Sequence, residues 1–341
     1  MTPFFHIAAR RLLRALAAAA LAAALTQCAR DTPVTHHYTQ PRLGPDSYVS
    51  FDSDNFGYRK WTSDKARPET IVIGIHGFCG AAIDYENLGK HLSAAHPDDW
   101  VFAYEVRGQG NDPIRERRGD ISDPGDWYRD LYTFTNLVRK EHPKARIVWF
   151  GESMGALIAA HAYRDAPAGK PPCDALVLSS PPVKFPGDFP KWKKVAVHVA
   201  AYAAPKIRLS IETIAGGKPI QMTEDTLHSE QSETNSWHIE RHTLRLLVTL
   251  GDMVDDMDSI APTLKIPTLI LHGGKDFTST SKDVAAFFDL IPPGHHKKRL
   301  FYPESHHLLM YDFQRDKVIS DASEWIDGLG KIGQTEQAEK K

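Results

Sequence analysis

Hydrophobic and polar positions in the middle of the chain alternate between two kinds of segment. Short continuous runs of β-branched and aromatic residues, such as 71–75 and 147–150, are typical of strands buried on both faces of a sheet. Between them, apolar residues recur every three or four positions, as in 127–141 and 154–163, which predicts amphipathic helices. This alternation predicts an α/β protein with a mostly parallel sheet and helices on both faces. The carboxyl ends of the strands then share one edge, where a ligand would bind.

The pattern also shows where the alternation begins, stops and resumes. Aromatic residues recur with a short period in 48–61 around a polar turn, which predicts an antiparallel hairpin. The parallel strands are predicted at 71–75, 101–106, 147–150, 175–178, 268–271 and 299–301, and the closing helix at 315–326. The alternation stops after Pro181 and resumes at 268. We therefore expect a helical cap inserted after the strand 175–178, which is the sixth strand when the two strands of the hairpin are counted.

The first residues of the chain are typical of an export signal. Three arginines precede an apolar run at 15–25, which is shorter than the about 20 residues that a membrane-spanning helix needs. The segment Leu25-Thr26-Gln27-Cys28 at the end of this run resembles a bacterial lipoprotein cleavage box, in which Cys28 would carry the lipid. Gln27 departs from the small residue usual in such boxes. Ordinary cleavage and an uncleaved anchor remain alternatives. We expect a protein of the bacterial cell envelope that faces the periplasm or the outside.

These signals divide the chain into segments. They are a signal or lipoprotein segment (1–27), a linker (28–47), the first part of the α/β core (48–180), the cap (181–262), the second part of the core (263–327) and a disordered tail (328–341).

Composition and charge exclude several classes of protein. With 42% hydrophobic and 25% charged residues, the 341-residue chain is neither disordered nor collagen-like nor a coiled coil. Its 41 Lys and Arg against 43 Asp and Glu provide no excess positive charge, so we expect no nucleic-acid partner. Three cysteines without a Cys-x-x-Cys spacing predict neither a disulfide scaffold nor a zinc site. Cys79 and Cys173 fall at opposite edges of the predicted sheet and should be free thiols.

The segment Gly151-Glu152-Ser153-Met154-Gly155 joins a predicted strand to a predicted helix. In this context the motif indicates a nucleophile elbow, in which a strained turn presents the Ser153 hydroxyl at the start of the helix. Glycines on either side allow strand and helix to approach closely. The alternative is a serine that only caps the helix.

A serine nucleophile needs a base, and the base needs a carboxylate to orient it. Asp276 follows the strand 268–271, and His307 follows the strand 299–301, so the topology brings both to the edge that carries Ser153. Weaker alternatives are Asp283 and Glu304 for the carboxylate and His306 for the base. The backbone N–H groups of Phe78 and Met154 are the predicted oxyanion hole.

Together these motifs resemble the monoacylglycerol lipase/lysophospholipase branch of the α/β-hydrolases, also grouped with serine aminopeptidase-like hydrolases. The matching segments are His76-Gly77, Arg107-Gly108-Gln109-Gly110, residues 151–155, residues 272–276 and His307-Leu308-Leu309. The spacing from His307 to Asp312 and Trp325 fits the family, whereas the spacing from His306 does not. The resemblance implies an α/β-hydrolase fold and a hydrolase, without metal or cofactor, of esters with a single acyl chain.

Two further features leave alternatives open. Residues 184–194 interleave lysines with aromatic rings, which suits a membrane surface. We favour instead that Phe185, Phe189 and Trp192 pack the cap onto the sheet edge. Arg107 either buttresses the site or, as we favour, forms a nearby salt bridge.

Two other functions are compatible with this fold. A peptidase or amidase would need acidic cap residues to clamp a substrate amine, for which Glu224 with Asp225, or Glu230, are the candidates. A lipid-binding lipoprotein without turnover is the other alternative.

Overall fold

The computed structural model describes residues 39–169, 171–185, 190–210, 221–224, 235, 237–294 and 296–339. The strands are β1 (Arg42–Leu43), β2 (Ser47–Val49), β3 (Asn55–Trp61), β4 (Thr70–Ile75), β5 (Asp99–Tyr104), β6 (Arg146–Glu152), β7 (Ala175–Ser179), β8 (Arg208–Ser210), β9 (Arg241–Thr243), β10 (Thr268–Gly273) and β11 (Lys298–Tyr302). The α-helices are α1 (Glu86–Ala95), α2 (Gly125–Glu141), α3 (Met154–Arg164), α4 (Lys191–Ala203), α5 (Leu244–Ile260), α6 (Ser281–Leu290) and α7 (Arg315–Glu339).

Nine strands form one mixed sheet in the order β1-β2-β3-β5-β4-β6-β7-β10-β11. From β5 to β11 all neighbouring strands are parallel, whereas β1, β2 and β3 add an antiparallel edge. The predicted α/β class and the predicted hairpin, formed by β2 and β3, are therefore confirmed.

Residues of one strand contribute alternately to two hydrophobic cores, one on each face of the sheet. In β4, Ile71 and Ile73 pack into the core beneath α2, α3 and α5, whereas Val72 packs into the core beneath α1 and α7. This is the expected result of a side-chain period of two in a strand covered on both faces. The continuous apolar run that predicted β4 has this physical origin.

The edge of the sheet extends further toward the amino terminus than predicted. Strand β1 pairs antiparallel with β2, so the linker predicted at 28–47 already contains strand structure from Arg42. A two-residue strand has too short a pattern to be found in a sequence. Because β1 was not predicted, the strand that was expected to be the sixth in chain order is the seventh, β7. The cap still follows this strand directly, as predicted.

The carboxyl-terminal helix is longer than predicted. Helix α7 continues to Glu339, whereas we placed its end at Ile326 and a disordered tail at 328–341. The residues after Gly330 are mostly Lys, Gln, Glu and Ala, which have high helix propensity and extend a helix that is already nucleated.

The described part of the cap contains α4, α5 and a two-stranded antiparallel sheet of β8 and β9 that the sequence did not predict. Helix α4 packs on α5, where His198 contacts Asp252 at 2.9 Å and Lys194 pairs with Asp255. Trp192 and Phe185 are consequently 68% and 50% exposed. The favoured interpretation that they pack the cap onto the sheet is wrong; Phe189 lies outside the described residues.

Arg107 joins the hairpin to the core through buried salt bridges, as we favoured from the sequence. Its guanidinium donates to both oxygens of Asp130, at 2.7 and 2.8 Å, and also pairs with Asp52 and Asp54. The Arg107 carbonyl accepts a hydrogen bond from the Trp127 indole. Arg107 therefore has a structural role.

Cys79 and Cys173 are free, as predicted. In the part of the chain that the structure describes, every helix is too short or too polar to cross a bilayer. The predicted signal segment and Cys28 lie outside that part.

Candidate active site

Ser153 lies at the turn between β6 and α3, in the position predicted for the nucleophile. Its φ of 54° is one that residues other than glycine rarely adopt, so the turn is strained as predicted. The flanking glycines have no room for a side chain: a Cβ on Gly155 would lie 1.8 Å from the Ile75 carbonyl oxygen, and one on Gly151 would lie 2.3 Å from the Gly155 carbonyl oxygen. Close approach of strand and helix thus requires both glycines.

The structure brings Ser153, His307 and Asp276 together. The Ser153 hydroxyl lies 2.7 Å from His307 Nε2, within proton-transfer distance. On the other side of the ring, His307 Nδ1 lies 3.0 Å from both carboxylate oxygens of Asp276. The carboxylate selects the tautomer that carries the proton on Nδ1, which leaves Nε2 free to accept the serine proton.

Asp276 is held in its ionised form by its neighbours. Its Oδ1 accepts hydrogen bonds from the Thr278 N–H at 2.7 Å and the Thr278 hydroxyl at 2.8 Å. Burial raises the pKa of Asp276, but the charge and hydrogen bond of His307, with the Thr278 donors, outweigh it and leave the pKa below its ordinary value. Asp276 can therefore orient His307 and stabilise its protonated form.

The weaker candidates for base and carboxylate all lie in other contacts. His306 faces Asp312, at 3.3 Å from Nδ1, and Glu224, at 3.8 Å from Nε2. Asp283 accepts from the Thr280 N-cap of α6, and Glu304 pairs with Lys275 at 3.5 Å. The residues brought to Ser153 are His307 and Asp276 and not these three.

The loop after β4 places the predicted second oxyanion donor beside Ser153. A Cβ on Gly77 would lie 3.2 Å from the Ser153 Cβ, so the two segments touch. The Gly77 carbonyl accepts from Gly80 N–H at 3.1 Å and from His76 Nδ1 at 3.0 Å. These bonds fix the orientation of the peptide group between Gly77 and Phe78. Because this peptide is trans, the Phe78 N–H points in the direction opposite to the Gly77 carbonyl.

The amide of Met154, the first residue of α3, is the other predicted donor. Among the described residues, neither the Met154 N–H nor the Phe78 N–H donates a hydrogen bond to another residue. Both are therefore available to a ligand atom beside Ser153.

A comparison with protein families agrees with this geometry. The model of the Hydrolase_4 family, described as serine aminopeptidase, S33, matches residues 66–314. The chain belongs to this family. The match includes the elbow, the Asp276 loop and the His307 loop, so the resemblance stated from the motifs is confirmed.

Among individual proteins, the chain is similar to lipases and esterases. It is 23% identical over 290 residues to the monoglyceride lipase of Rattus norvegicus, covering 82% of this chain and 88% of that one. It is 21% identical to a carboxylesterase of Bacillus subtilis, with 76% and 94% covered. A soluble variant of the Saccharomyces cerevisiae monoglyceride lipase, solved in complex with a substrate analog, superposes with a TM-score of 0.69 at 20% identity, with 86% and 97% covered. The fold is that of the α/β-hydrolases.

Glu152, which directly precedes Ser153, and Asp84 are two buried carboxyl groups of this Hydrolase_4 protein. Burial, with Asp84 nearby, raises the pKa of Glu152 to about 8, and burial raises the pKa of Asp84 to about 7. Glu152 Oε1 has no hydrogen-bond partner among the described residues. A neutral Glu152 adds no negative charge that would oppose an oxyanion forming beside Ser153.

The acidic clamp that a peptidase would need finds little support. Glu224 is paired with Lys275 at 2.9 Å, so its charge is already compensated. Asp225 and Glu230 lie outside the described residues.

Sequence reasoning missed the contacts that two histidines make with the loop after β4, which carries the predicted oxyanion donor Phe78. His76 Nε2 accepts from the Val106 N–H at 2.9 Å, so Nδ1 carries the proton that it donates to the Gly77 carbonyl. The position of His76 directly after β4 was a usable signal. His242, from the cap strand β9, packs against Phe78 with ring centroids 4.0 Å apart, and no local sequence pattern predicts that contact.

Proposed function

We propose that the protein is a serine hydrolase that cleaves carboxylic esters of single-chain lipids, such as monoacylglycerols or lysophospholipids. The single observation that carries this proposal is the 2.7 Å contact between Ser153 Oγ and His307 Nε2, with the Asp276 carboxylate behind the ring. This arrangement activates a hydroxyl group for attack on an acyl carbon.

The reaction follows from the positions of these groups. Ser153 Oγ attacks the ester carbonyl while His307 takes its proton, and the amides of Phe78 and Met154 bind the oxyanion. The protonated His307 then gives the proton to the departing alcohol, which leaves an acyl group on Ser153. Water then attacks the acyl carbon while His307 takes its proton, and His307 returns that proton to Ser153 Oγ as the fatty acid leaves.

The surroundings of the triad favour an apolar substrate. The Phe277 ring lies 5.2 Å from the His307 ring and is 39% exposed, so it offers an apolar surface beside the base. The relatives described above are named as monoglyceride lipases and a carboxylesterase. Both observations support a lipid ester over a peptide.

We therefore expect the purified protein to hydrolyse a monoacylglycerol with a kcat/KM at least about 100-fold higher than that for an aminoacyl anilide. The reason is that an acyl chain can use the apolar surface, whereas a substrate amine finds Glu224 already paired. Titrated release of fatty acid and absorbance of released aniline measure the two rates. A preference for the anilide would support the peptidase; no turnover of either by folded protein would contradict the proposal.

We also propose that the protein works at a membrane surface in the cell envelope, held there by two signals. Helix α4 exposes Trp192, Val195, Val199 and Tyr202 at helical spacing, so they form one apolar stripe. The exposed Lys191 and Lys193 flank the stripe and suit anionic headgroups. Stable membrane anchoring needs two weak membrane-binding elements. The exposed face of α4 would be one, and a lipid on Cys28 would be the other.

In a bacterial host, Cys28→Ser is expected to move the protein from the membrane fraction to the soluble exported fraction. The variant Trp192→Ser with Tyr202→Ser should shift only part of it, because a lipid anchor would remain. The half-buried Ser320 of α7, replaced by alanine, provides the matched control on another face. Fractionation with and without metabolic fatty-acid labelling measures both signals; unchanged membrane association and absent labelling of the wild type would contradict the lipid anchor.

A further inference from the structure

A cluster of potential metal ligands lies far from Ser153. His96 follows α1, Asp99 begins β5, and Asp327 lies on α7, so three separate elements meet there. One ligand atom from each lies within 4.8 Å of the others, and His96 Nδ1 lies 3.9 Å from Asp327 Oδ1. Because β5 begins at this edge and rises about 3.3 Å per residue, the cluster is about 20 Å from the edge that carries the triad.

Asp99 provides an independent reason to expect a ligand. The residue is only 4% exposed, and its Oδ2 has no hydrogen-bond partner among the described residues. A buried carboxylate oxygen without a donor is unfavourable, and such oxygens are normally paired or bound to a cation. The same carboxyl group is one of the three groups whose ligand atoms converge in the cluster.

We propose that His96, Asp99 and Asp327 bind one divalent transition-metal ion of the zinc type. One imidazole and two carboxylates are a donor set that zinc uses, with water as a fourth ligand. Ligands about 2.0–2.2 Å from the ion lie closer together than the present atoms do, so the exposed Asp327 side chain would rotate inward. The ion would fasten α7 to the turn between α1 and β5, and its role is structural because the triad is at the other edge.

A salt bridge without metal is the competing explanation. A protonated His96 would pair with Asp327 and also attract Asp99. The Asp99 carboxyl has a side-chain hydrogen bond with Thr70, and the Arg146 guanidinium, which donates to Thr70 at 3.3 Å, offsets the charge of Asp99 from a distance. The salt-bridge explanation leaves Asp99 Oδ2 without a hydrogen-bond donor, whereas a bound metal ion would give this oxygen a partner. Binding of a metal to the protein separates the two explanations.

The test is calorimetric titration of the chelator-treated full chain with zinc chloride, together with its thermal unfolding. We expect one zinc ion per chain and a Tm raised by about 2–4 °C when zinc is in excess. Asp327→Asn and His96→Gln should each weaken the zinc Kd at least about tenfold and remove the Tm shift. Asp316→Asn, which removes the same charge elsewhere on α7, is the matched control and should bind like the wild type.

Three outcomes would overturn the site: no zinc binding by folded protein, equal affinity in the Asp327→Asn variant, or an equal loss in the control. Asp327 is exposed, so its variant tests the site even where the buried Asp99→Asn variant does not fold. Ester hydrolysis is a separate readout, and its presence or absence does not affect this result.

Discussion

Replacing His307 with alanine is expected to lower kcat for a monoacylglycerol by about 10⁴- to 10⁶-fold. The Ser153 hydroxyl is a poor nucleophile unless a base takes its proton, and His307 Nε2 is the base within 2.7 Å. Residual hydrolysis would come from substrate binding and the oxyanion amides. Circular dichroism and thermal unfolding should show a folded variant, so the loss can be assigned to chemistry.

The neighbouring histidine gives a matched control for this result. His306 has the same chemistry one position earlier, but its ring contacts Asp312 and Glu224. His306→Ala should keep kcat within about tenfold of the wild type, since the backbone N–H that donates to Asp312 remains. A larger loss in His306→Ala than in His307→Ala would reverse the assignment of the base.

Asp276→Asn is expected to lower kcat by about 10⁴-fold while the shape of the site is kept. The amide group can donate to His307 Nδ1, which favours the imidazole tautomer with its proton on Nε2. That tautomer cannot accept the Ser153 proton, and the variant also loses the charge that stabilises protonated His307. Steady-state kinetics over a range of substrate concentrations should show the loss in kcat and little change in KM.

The control for Asp276 is Asp283→Asn, which changes the other carboxylate of the same segment. Asp283 contacts Thr280 and Lys184 at the start of α6, and no residue of the triad. The kcat of the Asp283→Asn variant should remain within about twofold of the wild-type value. Comparable losses in both variants would mean that Asp276 acts through the stability of the loop and not on His307.

The sheet and the approach of Ser153, His307 and Asp276 to one another could be predicted because their signals are local. A buried parallel strand such as β4 is a continuous apolar run, and the Gly151–Gly155 elbow combines a strand end with two obligatory glycines. Chain order and strand ends then locate a carboxylate and a histidine. The choice of His307 over His306 needed the family spacing, because two adjacent histidines have no distinguishing local pattern.

The cap could not be predicted to the same depth, since its contacts are between distant segments. His242 packs against Phe78 although 164 positions separate them in the sequence. The exposed face of α4 also has an apolar pattern, which favoured burial, and the sequence alone cannot show which face packs on α5. The buried partners of the loop after β4 likewise depend on tertiary structure.

Labelling with a fluorophosphonate, followed by peptide mass spectrometry, tests most directly whether His307 activates Ser153. We predict one adduct, on the peptide that contains Ser153, and no adduct in Ser153→Ala. Labelling of His307→Ala should be at least about 100-fold slower than that of the wild type. An adduct on a different serine, or unchanged labelling without His307, would contradict the claim that this imidazole activates the Ser153 hydroxyl.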